Sequence, residues 1–227
     1  MDKIQFSSII FDFDNTLTGI EGVEYLAEIH GVGDEIRDMV DKTLNTYTVS
    51  PAMYEQRLDL IQPTREDVTS LAGEYKKHLL PGVKETVESL AKMGKSMYII
   101  SGGVRKAIVP VGEYLGIPAA NVHAVDVYFD LEGDYIGFDK DSSLVTSAGK
   151  QQMIRTIAPE KPVVFIGDGA NDIAVQDEVD RFIGFGGAEY RPPIEKACEY
   201  YVKEENFQSV LQYILTTEEY NTIEQNN

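Results

Sequence analysis

Four apolar runs along the chain end in acids, hydroxyls or glycines: "SSIIFDFD", "SMYIISGG", "PVVFIGDG" and "RFIGFGG". Each is short, rich in β-branched and aromatic residues and closed by a turn signal, so each reads as a buried strand. Helical periodicity fills the stretches between them, as in "VKETVESLAKMG" and "KQQMIRTIA". That alternation predicts an α/β fold built on a mostly parallel sheet. Ligands of such sheets bind beyond the carboxyl ends of the strands, so chemistry is expected where these four runs stop.

Between the first two strands the pattern stays helical from Gly19 to about Leu80, in "EYLAEIHGVGDEIRDMV" and "MYEQRLDLI", with breaks at Gly31, Gly33 and Pro51. This stretch is too long for a simple crossover. It predicts a small helical cap of residues 19–80 over a core formed by residues 1–18 and 81–227, with the boundary at Pro81-Gly82. Further on, "VHAVDVYFDLEGDYIGFD" reads as a hairpin around Glu132-Gly133-Asp134, and the polar tail "TTEEYNTIEQNN" reads as frayed. No internal repeat or low-complexity segment interrupts the pattern.

Composition narrows the function. The 227 residues carry 38 acids against 20 Lys and Arg, a formal charge of -18. That field repels nucleic-acid backbones and anionic membranes, and leaves a small anionic substrate open only if a site gathers local positive charge. No apolar run approaches a membrane span, and the start "MDKIQFSSIIFDFD" lacks the long apolar region of a signal peptide. A cytoplasmic protein is expected. Cys198 is the single cysteine, which excludes a disulfide framework and reads as a small hydrophobe.

The first strand poses the chemical question. Asp12 and Asp14 follow Ile9, Ile10 and Phe11, and buried carboxylates are costly unless paired or bound. A hard cation such as Mg²⁺, which prefers oxygen ligands, removes the difficulty. The third strand supplies more acids: Asp168 closes "FIGD", and Asp172 lies where a helix should begin. The four acids at adjacent strand ends predict a Mg²⁺ site. Ser101, Gly102 and Gly103 end the second strand before a helix expected from Val104, and their backbone N–H groups suit a phosphate. Lys150 opens a later helix and is the cation that an anionic substrate needs in so acidic a chain.

In order and spacing, "DFDNT", Ser101, Lys150 and "GDGAND" resemble the haloacid dehalogenase superfamily of phosphohydrolases, over roughly Phe6 to Leu215. The resemblance implies a Rossmann-like three-layer core with a helical cap inserted after the first strand. It implies Asp12 as the nucleophile that becomes an aspartyl-phosphate, and Asp14 as the acid and then base. Mg²⁺ is then held by Asp12, the Asp14 carbonyl and Asp168, with Asp172 supporting. Ser101, Gly102, Gly103 and Lys150 hold the phosphoryl group, and Asn171 positions the substrate.

The insertion resembles that of the phosphoserine phosphatase subgroup. Glu21, seven residues after Asp14, matches the subgroup's contact to the substrate amino group, and Arg57 in "RLDLI" its contact to the carboxylate. The implied reaction is phosphoserine to serine and phosphate, a step of serine biosynthesis. The chain departs from the subgroup at Val104, where an aromatic is usual, at Ser50-Pro51, and in a cap loop, "KTLNTYTVSPAMYEQR", without glycine. Those departures fall on the substrate side and keep open a phosphatase or phosphotransferase for another small phosphoester (a homoserine acceptor, a sugar-like or methylthio-salvage phosphate). A non-catalytic binding protein on the same fold is a separate alternative, which the full set of catalytic residues disfavours. Arg191, followed by Pro192 and Pro193, reads as structural.

Overall fold

The computed structural model describes residues 4–44 and 50–224. Part of the glycine-free loop noted above, residues 45–49, lies outside them. Strand β1 (Ser8–Phe11) leads into helices α1 (Gly22–Ile29), α2 (Gly33–Leu44), α3 (Pro51–Ile61) and α4 (Arg65–Lys77). The chain continues through α5 (Val83–Lys92), β2 (Ser96–Val104), α6 (Arg105–Leu115), β3 (Val122–Val125), β4 (Val127–Phe129) and β5 (Tyr135–Phe138). It then forms α7 (Gly149–Ile157), β6 (Val163–Gly167), α8 (Ala170–Ile173), β7 (Arg181–Phe185), α9 (Pro192–Ala197), β8 (Tyr200–Val202), α10 (Leu211–Ile214) and α11 (Thr217–Glu224).

Six strands form one sheet in the order β3-β2-β1-β6-β7-β8, all neighbours parallel. Helices cover this sheet, the three-layer Rossmann-like arrangement that the family resemblance implies and whose parallel sheet the apolar runs predict. Apart from Ser8, its central strands carry no polar side chain because both faces are buried: Ile9, Ile10, Phe11, Val163, Val164, Phe165 and Ile166 are fully shielded from solvent. After β1 the chain builds one side of the sheet through β2 and β3, then returns to β6 on the other side of β1. The carboxyl ends of β1 and β6 therefore flank the point where the strand order reverses, the place where an open sheet offers a crevice.

Helices α1 to α4 fill the stretch between β1 and α5. Ser50 caps α3 by accepting from the Met53 N–H at 3.4 Å, ahead of Pro51 in the first turn. Thr64 and Asp67 form a reciprocal capping box at the start of α4. The chain leaves and rejoins the sheet side by side: Gly19 donates to the His78 carbonyl at 2.9 Å, and Leu80 to Leu17 at 3.1 Å. Phe13 meets Tyr75 edge to face at 4.8 Å, which seats α4 on the end of β1.

Three details differ from the sequence reading. β3 pairs with β2 in the main sheet, and only β4 and β5 form the antiparallel hairpin. β2 runs through the glycines to Val104, so α6 starts at Arg105. The tail expected to fray instead forms α11 as far as Glu224, because Glu219 pairs with the buried Lys95 and also accepts from the Thr216 N–H at 2.9 Å. No helix among the described residues is long and apolar enough to cross a membrane.

Candidate active site

At the carboxyl ends of β1, β2 and β6 lies a cleft of about 480 Å³, a size suited to a small metabolite. Asp12 and Asp14 follow β1 and are each 8% exposed; Asp168 follows β6 at 4%, and Asp172 sits in α8 at 1%. A short turn holds the first pair: the N–H groups of Thr16, Leu17 and Thr18 all point to the Phe13 carbonyl, while Asn15 takes a left-handed φ of 53°. The Asp12 N–H still donates to the Ile166 carbonyl at 2.9 Å, tying the turn to β6.

Each carboxylate has a defined partner. Lys150, at the start of α7, places its Nζ 2.6 Å from Asp12 Oδ1 and 2.6 Å from Asp172 Oδ1. Asp14 Oδ1 accepts from the Tyr75 hydroxyl at 2.7 Å and from the Gly22 N–H at 3.0 Å. Asp168 accepts from Thr16 Oγ1 at 3.2 Å and from the Arg191 guanidinium. Asp172 accepts from the Gly169 N–H at 2.9 Å. Two glycines keep this packing possible: a Cβ on Gly22 would lie 1.9 Å from the Tyr75 hydroxyl, and one on Gly103 would lie 2.9 Å from Asp14 Oδ2.

Crowding of like charges sets the electrostatics. Burial first, then repulsion from Asp172, raises the Asp12 pKa well above the ordinary carboxylate value, with Lys150 opposing. Asp14 is also raised by burial, and its hydrogen bonds from Tyr75 and Gly22 limit the rise. Asp168 rises to about 6 through burial, against the pull of Arg191. Glu21 is raised well above its usual range by burial and then by Asp14. Desolvation acts against Lys150 as well, yet its pKa is raised, because attraction to Asp12 and Asp172 outweighs it.

A divalent cation fits this donor set. Carboxylate oxygens of Asp12, Asp168 and Asp172 lie within 4.8 Å of one another, and all three residues are buried. Six carboxylates line the cleft against Arg57, Lys150 and Arg191. An oxygen-rich site short of positive charge is what a hard cation stabilises.

Every candidate residue from the sequence lines this one cleft: Asp12, Asp14, Glu21, Arg57, Ser101, Gly102, Gly103, Lys150, Asp168, Asn171 and Asp172. Ser101 Oγ accepts from the Gly103 N–H at 2.9 Å, and the Asn15 side chain reaches Glu21 at 3.5 Å. Arg57 projects from α3, and burial lowers its pKa. The sequence reading missed Tyr54 and Tyr75, and it treated Arg191 as structural although that guanidinium grips Asp168 at the cleft wall. The surplus of acids at the strand ends was the available signal for a further cation. Cys198 stands apart from the cleft, and burial pushes its thiol up to about 11, consistent with an unreactive side chain.

Comparison with known proteins agrees with the geometry. The phosphoserine phosphatase of Bos taurus is 36% identical over 198 residues, covering 86% of this chain and 88% of its own length. The phosphoserine phosphatase of Homo sapiens matches with the same identity and coverage. Among solved structures, a phosphoserine phosphohydrolase-like protein from Francisella tularensis superposes with a TM-score of 0.80 at 25% identity, over 90% of this chain and 99% of that one. The model of the haloacid dehalogenase-like hydrolases matches residues 6–175, and the chain belongs to that family.

Proposed function

We propose that this protein is a Mg²⁺-dependent phosphomonoesterase that hydrolyses phosphoserine to serine and phosphate through an aspartyl-phosphate on Asp12. One observation carries the reading: Asp12 sits at the strand-order reversal with Lys150 2.6 Å away and Asp14 two residues on, beside an acidic cluster able to hold a cation. The helices of residues 19–80 act as a cap that brings Glu21 and Arg57 over the reacting group.

Ser101, Gly102, Gly103 and Lys150 bind the phosphoryl oxygens, with Asn171 completing the cradle. Asp12 attacks phosphorus while Asp14 gives its proton to the departing seryl oxygen. Its raised pKa suits that first duty. Asp14 then takes a proton from water, whose oxygen attacks phosphorus, breaks the bond to Asp12 and releases phosphate. One difficult displacement is thereby divided into two easier ones. The Mg²⁺ would be held by Asp12, the Asp14 carbonyl and Asp168, with Asp172 supporting, and supplies neutralisation of phosphoryl charge. Lys150 supplies further positive charge where negative charge accumulates in flight.

Glu21 pairs with the substrate ammonium and Arg57 with its carboxylate, so each end of the zwitterion gains an opposite charge. The test is Asp12→Asn. Its turnover of phosphoserine should fall by about 10⁴-fold or more, with the thermal transition retained and no phosphate trapped on the chain after acid quenching. Normal turnover in that variant would remove Asp12 from the role.

A further inference from the structure

Tyr54 carries a group that the hydrolytic scheme leaves unused. It lies on α3, three residues before Arg57, and residues at that spacing share a helix face. Both line the cleft. The Tyr54 ring is 6% exposed and is held by Phe138 of the β4–β5 hairpin, with centroids 5.0 Å apart.

Its hydroxyl is buried and has no hydrogen-bond partner. Buried hydroxyls are almost always paired, because leaving one unpaired forfeits its hydration. A phenylalanine would make the same contact with Phe138 without that penalty, so packing does not account for the oxygen. Burial, followed by the nearby Asp14 carboxylate, keeps the phenol protonated above its usual range. The group is therefore a neutral donor on the wall that Arg57 shares.

We propose that the Tyr54 hydroxyl donates a hydrogen bond to the substrate carboxylate alongside Arg57, making Tyr54 a specificity residue for phosphorylated amino acids. The phosphate end is served by Ser101 at the end of β2 and Lys150 at the start of α7. The phenol shares its helix face with Arg57, the partner of the carboxylate, rather than with Glu21, the partner of the ammonium. A carboxylate held by Arg57 has acceptor positions left for a second donor, which the phenol on the same helix face supplies. The proposal rests on the phosphoserine reading and adds a contact to it.

The experiment compares Tyr54→Phe with the wild type on phosphoserine and on O-phosphoethanolamine, which keeps the ammonium and phosphate but has no carboxylate. The ratio of the KM for phosphoserine to that for phosphoethanolamine should rise by about ten-fold, as expected for loss of a hydrogen bond to a charged acceptor. The kcat on phosphoserine should move far less than KM. If the wild type prefers phosphoserine and Tyr54→Phe keeps that preference in full, the hydroxyl is only part of the wall and the proposal fails alone. If the wild type does not distinguish the two substrates, the amino-acid reading fails and takes the Tyr54 contact with it.

Discussion

Acidic crowding at the cleft makes the metal-free protein sensitive to pH in an unusual direction. Asp168 illustrates the magnitude. Its pKa rises from 3.8 to about 6 on folding, so the folded state holds the proton more tightly than the unfolded chain. Stability must then fall as pH rises between about 4 and 6. At 1.36 kcal/mol per unit the full loss is about 3 kcal/mol, of which slightly more than 1 kcal/mol accrues between pH 5 and 7. Asp12, Asp14 and Glu21 shift the same way and add to it. Carboxylates with lowered pKa, such as Glu219, act in the opposite sense, but only as pH falls below the ordinary carboxylate range.

The assay is calorimetry in chelator across pH 5 to 7, repeated with excess Mg²⁺ and with Asp168→Asn. In chelator the wild-type Tm should fall by at least about 3 °C over that range. Mg²⁺ at about a hundred times its Kd should restore roughly 2.7 kcal/mol at pH 7. Asp168→Asn should show a shallower pH slope and little response to Mg²⁺. A wild-type Tm that is flat or rising in chelator, with the same slope in the variant, would refute the reasoning.

Other expectations concern the geometry around Asp14. Tyr75→Phe removes a donor 2.7 Å from Asp14 Oδ1, so the Asp14 pKa should rise further. The alkaline limb of kcat/KM, which the proposed mechanism assigns to loss of the Asp14 proton, should move to higher pH; an unmoved limb contradicts the assignment. Gly103→Ala puts a Cβ 2.9 Å from Asp14 Oδ2 and 3.0 Å from Ile108. Displacing the carboxylate should lower kcat by about 10- to 100-fold with a small change in Tm. Equal kcat in the two proteins would show that Asp14 has room to spare.

Much of the architecture was legible because buried parallel strands are conspicuous. Ile9 to Phe11 and Val163 to Gly167 have no reason to end in aspartates unless those ends form a site. Sheet partners were harder to read, since the choice of β2 as neighbour for Val122–Val125 depends on contacts outside the local pattern. Tyr200–Val202 is three residues long and only partly buried, too little for its periodicity to register. The tail looked frayed because its anchor, Lys95, lies 124 residues before Glu219. Tyr75 was missed for a similar reason: helical spacing marks it as core, and nothing local reveals that its hydroxyl ends on Asp14. Arg191 was read from the prolines beside it, which describe how a helix starts but not where a side chain reaches.

The paired main-chain bonds at Gly19–His78 and Leu17–Leu80 have a consequence for how such a protein can change. Because the excursion between them departs and returns at neighbouring positions, its ends are already closed by the sheet side of the molecule. Lengthening a closed excursion costs little, about 0.6 kcal/mol for each doubling. The intervening chain can therefore change length between its helices without pulling on β1, as long as Gly22 and Tyr75 keep their hydrogen bonds to Asp14. On the proposed reading, Glu21 and Arg57 inside that excursion can change with the substrate while Asp12 and Lys150 outside it keep the chemistry.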